Sequence, residues 1–204
     1  IQEDHPALAS EIIERAFQTL PVSMEVYQPE GVYPEGYGYW GYGTSFNILF
    51  LSAVEKALGS DRGLSNTPGF METGHFLKHM ITPTGKSFNW ADCGTGANLN
   101  AAMFWFAEKT GDPSVLWSEK KFLETDNFSK FKGIRELPAI MIWGKNIPLA
   151  QIKEPAEKSW MGQGPNPVAM MRTSWSDPEA VYVGFKAGSP GVNHGHMDVG
   201  SFLM

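Results

Sequence analysis

Scarce cysteine, the lack of any long apolar run and the lack of a basic cluster set the first limits on this chain of 204 residues. Cys93 is the only cysteine, so no internal disulfide can form and the redox compartment stays open. No apolar stretch approaches the ~18 residues that a membrane-crossing helix needs, so no span is expected. Lysine and arginine number 16 against 22 acidic residues, for a net charge of -6, and they form no basic run. Phosphate-backbone binding relies on such runs, so the charge argues against nucleic acid as a partner. A polyanionic ligand would need a local cationic cleft, which sequence cannot display. The chain opens at Ile1, with neither a methionine nor the charged and apolar segments of a signal peptide. A processed start or an excised segment is therefore expected.

What the chain does hold is core material and rings. Hydrophobic residues make up 42% and charged residues 19%, the balance of a soluble globular protein. Beside 22 Gly and 14 Pro stand 7 Trp, 13 Phe and 6 Tyr. Rings next to many backbone breaks suit either a concave carbohydrate-binding surface or simply a ring-rich core.

The first 150 residues or so read as helices. Asp4 is the expected N-cap before Pro6, and Leu8, Ile12, Ile13, Ala16, Phe17 and Leu20 recur at helical spacing. Pro21 should kink or end that helix. After a Gly, Pro and Tyr loop over 28–38, the stripe Tyr39, Tyr42, Phe46, Leu49, Phe50, Ala53, Val54 and Leu58 predicts a second helix that Gly59 terminates. Further helices are expected over 67 or 68 to 81, 98–109, 113–124 and around 134–143.

Beyond Pro155 the pattern changes to strands. The runs 167–175, 180–186 and 196–204 are apolar or alternating, and Ser176-Asp177-Pro178-Glu179 reads as a turn between the first two. Helices followed by strands predict an α+β chain, with a helical unit over 1–154 and a β-domain beginning over 155–204. Helices paired at this length point to a toroid or solenoid, although no fixed-period repeat is present. A strand that stops at Met204 lacks a partner and a covered face, so the expectation is a segment of a longer polypeptide.

Three places can carry chemistry. Tyr39 and Tyr42 are three apart and share a helix face; they are either core rings or phenols projecting into a cavity, where a phenol can act as base and acid. Asn89 and Asp92 lie among aromatics in the segment Phe88-Asn89-Trp90-Ala91-Asp92-Cys93-Gly94, where turn formation alone accounts for them. Cys93 is expected as a small buried hydrophobe. His194 and His196, at i and i+2 at the start of an expected strand, should point the same way, flanked by Asn193 and Asp198. Two buried imidazoles need partners, so a site is expected there. His75 and His79 lack the Glu of a zinc-protease helix and are expected on the surface or in a groove.

The run Tyr33-Pro34-Glu35-Gly36-Tyr37-Gly38-Tyr39-Trp40-Gly41-Tyr42-Gly43-Thr44, the Phe88–Gly94 segment and Val183-Gly184-Phe185-Lys186-Ala187-Gly188-Ser189-Pro190-Gly191-Val192-Asn193-His194-Gly195-His196-Met197-Asp198 together resemble heparinase II/III-type polysaccharide lyases. The resemblance covers nearly the whole chain. It implies the end of an (α/α) toroid followed by the start of an antiparallel β-sandwich, and β-elimination at a uronic acid of an acidic polysaccharide or oligosaccharide, heparan-like or alginate-like. It implies Tyr39 as the catalytic tyrosine with Tyr42 as second choice, His194 as an active-site histidine and His196 as a zinc ligand. Glu35, Trp40, Asn89 and Asn193, within the resembling motifs, become candidates for substrate contact. A periplasmic or secreted location is implied as well.

The family's Asn or His that neutralises the sugar carboxylate lies upstream of these motifs, and its further metal ligands lie downstream. Structural zinc wants four ligands, and only Asp198 stands near His196 in sequence. This segment alone is therefore expected to be inactive and to hold zinc weakly or not at all, with the remainder of the polypeptide as its partner. Two other classes compete: a glycoside hydrolase with Glu35 and Asp92 as its carboxylates, and a non-catalytic carbohydrate-binding relative.

Overall fold

The computed structural model describes residues 3–125 and 128–204. Among these, six helices precede one four-stranded antiparallel sheet, so the chain is α+β. The helices are α1 (Pro6–Met24), α2 (Gly36–Leu58), α3 (Thr73–Met80), α4 (Ala102–Thr110), α5 (Trp117–Thr125) and α6 (Leu137–Trp143). The strands β1 (Ser159–Gly162), β2 (Val168–Arg172), β3 (Tyr182–Lys186) and β4 (Phe202–Leu203) pair in that order. No helix among the described residues is long and apolar enough to cross a membrane.

α1 runs through Pro21 to Met24, and no side chain caps its start, so Asp4 does not serve there. Its expected apolar face is only partly used. Phe17 and Leu20 pack against the core, whereas Leu8 and Ile12 are exposed.

On α2 the buried face is Tyr37, Trp40, Thr44, Ser45, Ile48, Leu51 and Val54, and of the predicted stripe only Val54 belongs to it. The helix is apolar on two sides, and the core takes the side of Tyr37, Trp40, Ile48 and Leu51, with Thr44 among them. Thr44 is fully buried because its hydroxyl hydrogen-bonds the Tyr27 phenol at 2.9 Å, and a stripe drawn through apolar residues alone skips it. Gly59 does end α2, at φ 79°, its N–H returning to the Glu55 carbonyl.

α3 is shorter than its sequence pattern. Gly69 sits at φ +81° with the Tyr27 carbonyl oxygen where a Cβ would lie, so the chain turns tightly there before the helix begins.

β1 was not anticipated, whereas β2 and β3 fall inside two of the expected runs, joined through 173–181. Register pairs Met170 with Gly184 and Arg172 with Tyr182. On β3 the inward side chains are Tyr182 and Lys186, with Gly184 between, while Phe185 faces out. The third expected strand shrinks to Phe202–Leu203, because residues 191–200 form turns and bends.

The sheet docks on the end of α3, whose last carbonyls have no helical partner. Arg172 Nη2 donates to the His79 and Ile81 carbonyls at 3.0 and 2.7 Å, and the Tyr182 hydroxyl donates to His79 at 3.0 Å. One apolar cluster then runs from α2 and α4 to Val168, Met170 and Tyr182. This docking brings the loop between β3 and β4 over the start of α2.

Candidate active site

Three segments meet beside the first turns of α2. Tyr39 is half-buried and Tyr42 exposed, so neither is a core ring. Both line a cleft of about 420 Å³ together with Gly38, Asp92, Cys93 and Gly94. The loop bearing Asp92 is anchored by Trp90, whose indole N–H donates to the Pro34 carbonyl at 2.9 Å. Close approach at Gly184, where a Cβ would lie 2.6 Å from Phe88, seats the same loop on β3.

The third segment is the turn at 191–200. His194 has φ 52°, a left-handed conformation that a strand does not contain. The two imidazoles nevertheless converge, through a turn instead of strand alternation. His194 Nδ1 lies 2.5 Å from Asp92 Oδ2, and His196 Nε2 lies 2.8 Å from Asp92 Oδ1. An ionised carboxylate only accepts, so each of these ring nitrogens carries the hydrogen. For a neutral His194 that fixes the tautomer and leaves Nε2 as an acceptor. The hydrogen bonds from His194 and then His196 hold the Asp92 carboxyl below its ordinary value of 3.8. The His194 ring stacks on Tyr39, with centroids 4.7 Å apart and planes at 29°.

Two further ties hold this turn. Asn193 Nδ2 donates to Glu35 Oε1 at 2.8 Å, at the start of α2. Asp198 accepts from the nearly buried Lys186 ammonium at 2.7 Å and from the Ala91 N–H at 3.2 Å. Desolvation acts to raise the Asp198 pKa, but the bonds from Lys186 and Ala91 outweigh it and the pKa is lowered.

The structure thus brings Tyr39, Tyr42, His194, His196, Asn193 and Glu35 to one region. Asn89 stands apart in role, its amide closing the local turn on the Cys93 carbonyl at 3.1 Å. Trp40 is a correction: it is fully buried, its indole N–H donates to Thr73 at 2.8 Å, and it presents nothing to a ligand. Cys93 is another, a cleft-lining thiol whose sulfur accepts from the Gly38 N–H at 3.2 Å. His79 is a third, since it is buried between Trp160 and Trp175. Burial, with Lys78, Arg172 and His75 adding to it, pushes its pKa down to about 2.

Asp92, the residue at the centre, reads in sequence as a turn former; its place among aromatics in a resembling segment marked it, as a hydrolase carboxylate and not as the partner of two imidazoles. Lys186 carried no signal in sequence, and only the structure shows it on the inward face of β3 with Tyr182.

Among the described residues no group of three or more His, Cys, Asp or Glu is arranged to hold a metal ion. His196 has one nitrogen on Asp92, and Asp198 is engaged by Lys186. Among the described residues these groups do not by themselves make a zinc site. No family model matches the chain, and no curated protein matches it.

Proposed function

We propose that this chain is the site-bearing part of a polysaccharide lyase that cleaves uronic-acid-containing chains by β-elimination. The observation that carries the reading is the stack of Tyr39 on His194, the two residues that the motif resemblance pairs, with Asp92 fixing the imidazole behind it. In this reaction a base takes the C5 proton and the C5–H electron pair becomes the C4=C5 bond. The C4–O4 bond breaks, and the departing O4 receives a proton. Tyr39 serves as base and then acid, Tyr42 being the alternative phenol. His194 Nε2, the ring nitrogen that Asp92 does not engage, accepts while the ring is neutral and donates to the enolate-like charge once the ring is protonated, and a donor at that charge lowers the barrier.

The (α/α) toroid, the β-sandwich, a periplasmic or secreted location and zinc at His196 belong to the same proposal. Zinc there needs ligands beyond those gathered around His196, and no step is routed through it. Glu35 and Asn193 contact substrate only if they release one another.

The hydrolase alternative is weaker. Asp92 has a lowered pKa, which does not suit the general acid, and both its oxygens are bound by imidazoles, which leaves neither free to act as the nucleophile or base.

The test uses the intact protein on uronic-acid polymers, following the absorbance of the unsaturated product. Turnover that Tyr39→Phe abolishes while saccharide binding persists supports the reading. No absorbance rise on any uronate overturns it.

A further inference from the structure

The segment 82–85 and α5 wall a second cavity, on which β-elimination makes no demand. Its volume is about 400 Å³, and its lining includes Thr84, Trp117, Ser118, Lys121, Phe122 and Arg172. Among the described residues the lining carries two charges, both positive, and no carboxylate. In a chain of net charge -6 that is a local reversal of sign.

Both cations are held in place. Arg172 is 7% exposed and lies with its guanidinium 3.6 Å from the Trp175 ring centroid and 5.1 Å from that of Tyr182. Its Nη2 is used by two carbonyls, but its buried Nε–H has no hydrogen-bond partner. Lys121 Nζ donates to the Trp175 carbonyl at 2.7 Å and sits 5.2 Å from the Trp117 centroid. Glu154 attracts Lys121 from outside the lining, while burial and Arg172 lower its pKa. Two partly desolvated like charges are costly side by side, Glu154 acts on Lys121 from outside the cavity, and the unpartnered buried donor of Arg172 adds to the cost.

We propose that this cavity binds an acidic sugar unit, its oxyanion against Arg172 and Lys121 and its ring hydroxyls toward Thr84 and Ser118. The oxyanion follows from the charges; the sugar class rests on the lyase reading above. The cavity would then hold a unit of the chain away from the bond being broken, a subsite for affinity and not for chemistry.

The experiment is calorimetric titration of the chain with sodium glucuronate, glucose and inorganic sulfate. Glucuronate is expected to bind with roughly millimolar affinity, as a ligand of this size allows. Lys121→Gln should weaken it about tenfold, the effect of losing one charge-assisted hydrogen bond. Thr84→Val, at an exposed position, is the second variant if the first does not fold, and should weaken binding about threefold for one neutral bond. Glucose binding as well as glucuronate, sulfate binding as tightly, or affinity indifferent to the substitution made overturns the proposal. So does a loss of glucuronate affinity in Tyr39→Phe, which would put the ligand in the other cleft. Binding that depends on Lys121 in a protein with no lyase turnover sinks the lyase reading and leaves the anion-binding cavity standing.

Discussion

Asp92 bridges His194 and His196, one carboxylate oxygen to each imidazole at 2.5 and 2.8 Å. A residue of the loop before α4 therefore sets the orientation of both rings in the turn between β3 and β4, including the one stacked on Tyr39.

Replacing Asp92 with Ala removes both anchors at an exposed position. Global melting should hardly change, since exposed pairs contribute little to stability. Amide exchange over 191–200 should accelerate about tenfold, as local opening loses its restraint. Unchanged protection there would show that the bridge does not hold the turn.

The Lys186–Asp198 pair behaves differently because the Lys186 side chain is 2% exposed. Asp198→Ala leaves that ammonium without its counter-charge and should cost about 3 kcal/mol in denaturant unfolding. Lys186→Met added to it should restore most of the loss. In the wild type the Asp198 pKa lies below its ordinary 3.8. The pair's contribution is thus complete above that value and is lost as pH falls through the lower folded pKa.

Glu119 on α5 carries the opposite sign. It is 2% exposed, one oxygen lacks a partner, and burial raises its pKa from 4.5 to about 8. The folded protein keeps the proton while the unfolded chain gives it up. Stability should fall as pH rises from 4.5 toward 8 and level off above. Glu119→Gln should flatten that slope and raise the melting temperature at pH 8; an unaltered slope would assign it to other groups.

Gly184→Ala forces a methyl against Phe88, at 2.6 Å. Overpacking of this kind costs about 1–3 kcal/mol. Because Phe88 leads into the Asp92 loop, the same variant should shift the His194 and His196 ring resonances. Shifts confined to β3 would separate the packing from the site.

Elements whose reasons are local were legible in the sequence: the Gly59 stop of α2, the turn at 176–179, and the pairing of β2 with β3. The buried face of α2 was not, because the helix carries apolar residues on two sides and spacing alone does not say which side the core takes; the core side also holds Thr44, through a hydrogen bond with Tyr27. Tyr39 and His194 were legible as candidates through their motifs. Their geometry was not, since period two predicts a strand where the chain makes a left-handed turn at His194. Asp92 was the least visible, as an Asp in a loop has cheap explanations until its partners arrive from elsewhere.

Those partners arrive late in the chain, and two of the three contributing segments are irregular loops held by side-chain bonds. The cluster should therefore disperse on heating before the helices melt. Between those temperatures the molecule is folded by circular dichroism and yet has no assembled site, so loss of function would report loop release well below the melting point.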